Sequence, residues 1–347
     1  MSRHVVDSVS SRISAHAAEH AIPDVDIVLH GGEPLLAGAG AISYAVRAIR
    51  SSLGSRTRAH FSVQTNGTLL DENFTNLFED LDVRVGLSLD GDATMHDRHR
   101  TFANGNGSYA KATAAADLLA SRPQLFSGIL SVIDLNSDPV RSYEALTRFS
   151  PPDIDFLLPH GNWSVPPPGR AAPSTPAPYG RWLARLFDHW YHAGDESPGI
   201  RLFEDIMSLI LGGSSRSEDI GLSPVAVVIV ESDGQIALTD VLGTNDDATG
   251  LNVIRDSFDT ALRAPQAAAV LAPDLPSPCR GCPVSRVCGG GLHAHRYRAG
   301  SGYDNPSVYC PDLYYLISHI QRRVAGDIAR AASGAGRAGR PAGGGSS

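Results

Sequence analysis

A chain of 347 residues with 42% hydrophobic side chains can bury a large core, and its length suggests about two domains. Its net charge of −8 excludes a general nucleic-acid binder, whose affinity would come from lysine and arginine on phosphates. No stretch is apolar for long enough to span a bilayer, and the opening "MSRHVVDSVSSRISAHAAEH" lacks a signal peptide's apolar centre, so the expected compartment is the cytoplasm.

Residues 2–21 carry Val5, Val9, Ile13 and Ala17 at helical spacing. Short apolar runs then alternate with helical stretches. The runs fall at 25–30, 60–67, 84–91, 126–134 and 154–163, and the helices between them at 38–52, 71–80, 107–121 and 138–149. Such a βα repeat predicts a parallel sheet or barrel with right-handed crossovers. A βα barrel normally opens on a strand, whereas this chain opens on a helix. Polar clusters close the runs: His30-Gly31-Gly32-Glu33, Thr65-Asn66-Gly67, Ser88 with Asp90-Gly91, Asp134, and His160 with Asn162. Any one of them could be a helix cap. All five on the carboxyl rim of one parallel sheet point to a binding face.

The Pro-rich segment 164–180 reads as a connector, followed by helices at 179–193 and 201–211. "GGSSRSEDIG" (212–221) marks a boundary, and Asp233-Gly234 divides 226–240 into a β-hairpin. A last helix is expected at 311–331, and the low-complexity tail 332–347 is expected to be disordered. All four cysteines lie late in the chain, as Cys279-x2-Cys282-x5-Cys288 and a distant Cys310. Clustered cysteines without an export signal indicate a metal or cluster site rather than disulfides. Four thiolates suit tetrahedral zinc or a cubane iron–sulfur cluster, and the spacing does not choose between them. Gly289-Gly290-Gly291 reads as a supple loop after Cys288.

"HGGEPLL" (30–36), "TNGTLL" (65–70), "GLSLDG" (86–91) with "HDRHR" (96–100), and "CRGCPVSRVCGGG" (279–291) closed by Cys310 occur in that order. Together they resemble radical S-adenosylmethionine (SAM) enzymes with a SPASM domain, over about residues 2–325. "LLPHGNW", "CGGGLHAHRYR" and "NPSVYCPDL" are most similar to the FxsB-like peptide maturases. The resemblance implies an α/β fold: a partial (β/α) radical-SAM, TIM-like barrel over 1–163, then a connector with helices over 164–215. A C-terminal SPASM-type cysteine-rich domain over 216–331 and the tail follow.

The same resemblance implies site residues. Gly31, Gly32 and Glu33 would bind the amino group of the SAM methionine, Ser88 the ribose and Arg100 the methionine carboxylate. Leu158 would lie near the adenine. Cys279, Cys282, Cys288 and Cys310 match the second auxiliary [4Fe–4S] cluster of a SPASM domain. Leu292 and Thr239 stand where two cysteines of the first auxiliary cluster are expected, so only one cluster is expected here. Asp240 stands where sulfatase-maturing relatives keep a proton-accepting aspartate. The family's first cluster needs a Cx3Cx2C loop, and the sequence contains none. The SAM site is thus expected to be incomplete, the reading frame starting late or the chain being a degenerate paralogue. The implied full-length activity is modification or crosslinking of a ribosomally made peptide. Its partners would be a short precursor peptide and an external electron donor, with no nucleic acid and no membrane. The rival readings are a peptide-binding pseudoenzyme without catalysis and a zinc-stabilised binding protein.

Overall fold

The computed structural model describes residues 1–170, 176–194, 197–223, 227–237, 250–264, 267 and 275–338. The apolar runs form strands β1 (Asp24–Leu29), β2 (Arg58–Thr65), β3 (Val83–Ser88), β4 (Phe126–Val132) and β5 (Ile154–Leu157). All pair in parallel and in sequence order, β1-β2-β3-β4-β5. This is a half-barrel sheet with helices on its connections. The runs expected to reach residues 91, 134 and 163 stop at Ser88, Val132 and Leu157. What lies beyond them is the polar rim.

Helices α1 (Arg3–Glu19), α2 (Ala39–Ser52), α3 (Glu72–Leu81), α4 (Ala93–His96), α5 (Tyr109–Ala120) and α6 (Pro139–Thr147) accompany the strands. Side-chain caps fix the starts of α1, α3, α4 and α6. Asp71 accepts from Phe74 N, Asp92 from Met95 N, and Asp138 from Val140 N and Arg141 N just before Pro139. Strand β3 is central, and its Val83, Val85 and Leu87 are buried in one core with Phe78, Leu119 and Ile129. Edge strand β1 is half open, and its Val28 is 56% exposed.

Beyond the sheet lie α7 (Pro178–His192) and α8 (Arg201–Ile210). Helix α7 buries Trp182, Leu183, Leu186 and Phe187 in one core with Leu313, Leu316, Ile317 and Ile320 of the final helix, Cys310–Ala338. That helix passes residue 331 and takes in the first part of the expected disordered tail; 339–347 lie outside the described residues. The expected hairpin is present as β6 (Ile229–Val230) and β7 (Ile236–Ala237), antiparallel about Asp233-Gly234. Helix α9 is Phe258–Leu262.

Helix α1 serves both halves of the chain. Ser14 Oγ donates to Ser52 O (2.6 Å) and Ser52 Oγ to Ser10 O (3.0 Å), which docks α1 on α2. Val5 instead enters a second small core with Ile236, Val253, Phe258 and Ala261. Arg12 Nε donates to Val253 O at 3.0 Å. Among the described residues, no helix is long and apolar enough to cross a membrane.

Candidate functional site

The chain leaves β1 through Gly31, whose φ of +132° is a backbone state that suits glycine. A Cβ on Gly31 or Gly32 would meet nothing within 4 Å, so both face open space at the rim. Glu33 begins the short turn Pro34–Ala37, and its carboxylate is held from three sides. Oε1 accepts from Leu35 N (3.0 Å) and Thr65 Oγ1 (2.7 Å), and Oε2 accepts from Asn66 N (2.8 Å). A carboxylate has about four lone-pair positions, so this fixed group keeps one for a further donor. Thr65 and Asn66 were legible in the sequence only as a polar strand end; their part is to hold Glu33.

Ser88 closes β3, and Gln64 Nε2 donates to its hydroxyl at 3.0 Å. Sequence reading missed Gln64. Its signal was Gly86, the register partner of Gln64. A Cβ there would meet Gln64 Oε1 at 2.2 Å, so glycine lets the amide cross β3 and reach Ser88. Leu158 lies one residue past β5, partly buried against the core.

The loop after β3 sorts its basic residues. Arg98 and His99 both pair with Asp134, past the end of β4. Burial pushes the Asp134 carboxyl up, but the Asn136 N–H, Arg98 and His99 together hold it below its ordinary value. Arg100 turns instead to Asp90, with Nε 2.5 Å from Oδ2 and Nη2 3.3 Å from Oδ1. Asp90 also accepts from Val132 N at 2.9 Å, which ties the pair to β4. His96, buried, accepts from Asp90 N through Nδ1 and meets Ser108 Oγ at 3.0 Å through Nε2. Burial lowers its pKa, although Asp90 acts the other way, so the imidazole is a neutral brace. The predicted rim residues Glu33, Ser88, Arg100 and Leu158 therefore share one edge of the sheet.

The four cysteines converge separately. Cys279, Cys282, Cys288 and Cys310 line one open cleft with Pro278, Val284, Pro306 and Tyr314. Burial pushes the Cys288 thiol up to about 12, against the pull of a Gly290 N–H. Burial also raises Cys279 and Cys310. Thiols so placed ionise only when a cationic guest offsets the lost hydration. Beside them the buried Arg296 donates to the carbonyls of Gly289 and Gly291, at 2.7 Å each from Nη2. Burial lowers its pKa, and the adjoining Cys279 and Cys288 act in the opposite sense.

The expectation of a supple glycine loop is corrected here. Gly289, Gly290 and Gly291 have φ of 63°, 87° and 72°. A Cβ on Gly289 would stand 1.6 Å from Gly221 O. The loop is glycine because it is clamped, not because it is loose. Asp240, like Thr239, lies outside the described residues.

Rim and cleft are joined by the segment before the last helix. Tyr309 OH donates to Pro159 O (2.5 Å), Trp163 Nε1 to Pro306 O (2.7 Å) and Arg170 Nη2 to Val308 O (2.9 Å). Cys310 thus follows directly on residues pinned to the loop that carries Leu158.

Comparisons with known proteins bear on the fold. No family model matches the chain. A cysteine-type anaerobic sulfatase-maturating enzyme of Clostridium perfringens (strain ATCC 13124) is 28% identical over 338 residues, 93% of this chain and 88% of that protein. The Clostridium novyi enzyme of the same description is 28% identical over 231 residues, and the match spans only 61% of its length. A serine-type anaerobic sulfatase-maturating enzyme of Klebsiella aerogenes is 24% identical over 306 residues, 86% of this chain and 72% of that protein. Among solved structures, native anSMEcpe with bound AdoMet and Cp18Cys peptide superposes with a TM-score of 0.83 at 23% identity, covering 94% of this chain and 92% of that one. That structure shares the fold. With ordered motifs, half-barrel and relatives in agreement, the chain is a radical SAM/SPASM protein related to the anaerobic sulfatase-maturating enzymes.

Proposed function

We propose that this chain provides the SAM-binding rim and one auxiliary cluster site of a maturase acting on a short, ribosomally made peptide. The observation that carries the reading is the rim, where Glu33 follows β1, Ser88 ends β3 with Arg100 in the connection beyond it, and Leu158 follows β5, all at the carboxyl edge of one parallel sheet. Ligands of such sheets bind at that edge. Glu33, with its remaining lone pair and the open backbone of Gly31 and Gly32, suits an ammonium. Ser88, oriented by Gln64, offers a hydroxyl to a ribose. Arg100, held in place by Asp90, keeps Nη1 for a carboxylate, a match for a planar fork. Leu158 gives an apolar surface for a base.

Cys279, Cys282, Cys288 and Cys310 would hold the auxiliary [4Fe–4S] cluster. Each thiolate of a cubane binds its own iron, and the four cysteines are the set that the resemblance assigns to that cluster. Bound SAM supplies hydrogen-abstracting chemistry once a cluster reduces it. That reduction requires three thiolates beyond the four cysteines of this sequence, and an external electron donor.

The test is SAM binding to Arg100→Ala by calorimetry. Losing a charge-assisted hydrogen bond costs about 1.5–3 kcal/mol, so affinity is expected to fall roughly ten- to a hundredfold. Unchanged affinity would remove Arg100 from the site. Asp240 is proposed as the proton acceptor at the peptide. In enzyme able to reduce SAM, Asp240→Asn is expected to leave SAM cleavage intact and to slow peptide modification by about two to four orders of magnitude. Product analysis by mass spectrometry separates the two steps, and unimpaired modification would return Asp240 to a turn residue.

A further inference from the structure

His16 lies in the last turn of α1 and His20 is its C-cap, four residues on, so both rings leave the same side of the helix end. Facing them is one carboxylate, Asp259, in the first turn of α9. His16 Nδ1 is 3.1 Å from its Oδ2 and His20 Nε2 is 2.5 Å from its Oδ1. The three ligand atoms lie within 4.8 Å of one another, and among the described residues no other three His, Cys, Asp or Glu do so. The two rings are 4.5 Å apart and tilted by 48°, so their nitrogens converge on the carboxylate. Asp259 is well sheltered, its side chain 14% exposed, while His20 at 43% leaves the site open on one side.

We propose that His16, His20 and Asp259 bind a first-row divalent cation of the zinc, cobalt or nickel class, which clamps α1 onto α9. Two imidazoles and a carboxylate from two elements are a common donor set for these ions, with the remaining position left to water. Bonds of about 2.0–2.1 Å place tetrahedral ligand atoms about 3.3 Å apart. The present 2.5 and 3.1 Å separations need only a small widening to admit the ion. Each ring nitrogen that now faces the carboxylate gives up its proton on binding. In a neutral ring that proton moves to the far nitrogen, Nε2 of His16 or Nδ1 of His20; from a charged ring one proton leaves to solvent. Hydrogen bonds from His16 and His20 already hold the Asp259 carboxyl below its ordinary value, so the ligand is ionised beforehand. The site shares no residue with the rim or the cysteine cleft, and its occupancy does not depend on what those hold.

Cobalt(II) separates this site from the cysteines, because thiolate-bound cobalt shows an intense sulfur-to-metal charge-transfer band and nitrogen–oxygen sites do not. Titration of the full chain without oxygen is expected to reveal one equivalent lacking that band, together with a raised melting temperature. His16→Ala and Asp259→Asn are each expected to weaken this equivalent by about a hundredfold, the upper end of what losing even a supporting partner does. The cysteine-bound signal should persist in both. Asp259→Asn keeps an acceptor for the histidines, so it decides the matter if His16→Ala loosens α1. Cobalt binding only with the charge-transfer band would overturn the proposal, as would nitrogen–oxygen binding of unchanged strength in Asp259→Asn.

Discussion

Cys310→Ala, reconstituted with iron and sulfide without oxygen, is expected to retain no stable cluster, whereas the unaltered chain holds about four irons and one cluster. Three of the thiols come from one stretch, Cys279 to Cys288, and lie on successive short turns. The fourth opens the last helix and lines the same cleft. Without it one iron of a cubane would lack its protein ligand. The effect should extend to folding, because a site absent from the unfolded chain adds its binding energy to stability. Iron analysis, the visible spectrum and a melting curve check all three points. One tightly bound zinc and no iron in the anaerobically prepared unaltered chain would instead establish the zinc reading.

Gly289→Ala is expected to destabilise the C-terminal half by about 3 kcal/mol or more, even without a metal. Two penalties act together. A residue with a Cβ at φ of +63° costs about 1–2 kcal/mol. Overpacking adds roughly 1–3 kcal/mol, and here the clash is with a backbone oxygen that cannot rotate away. Chemical denaturation shows the loss as a lower midpoint. Gly281→Ala is the control, since a Cβ there meets nothing within 4 Å and its φ is not positive. Equal stability of the two variants would mean that the Gly221 and Gly289 segments separate easily.

The strands and most helices were legible because a parallel sheet writes itself as apolar runs at regular intervals. Their ends were less so. Residues 89–91 continue the apolar character of β3 through Leu89, yet Asp90 leaves the ladder to bind Arg100 and Val132 N. The rim positions Glu33, Ser88 and Arg100 could be named from motifs, but their supports could not. Gln64 reaches Ser88 only because β2 and β3 pair in the register that puts it against Gly86. Long-range pairing of that kind leaves no local signature. The same holds for Asp259, 243 residues from His16 and in a segment with no recognisable motif.

Helix α1 gives one face to α2 and another to the small core around Ile236, Val253 and Phe258. Neither half can open without stripping this helix of a partner. Native-state hydrogen exchange is therefore expected to report α1 amides and those near Ile236 and Val253 opening together, at one free energy, although they lie far apart in the sequence. The helix with which this chain opens would thus set the cooperativity of the whole molecule.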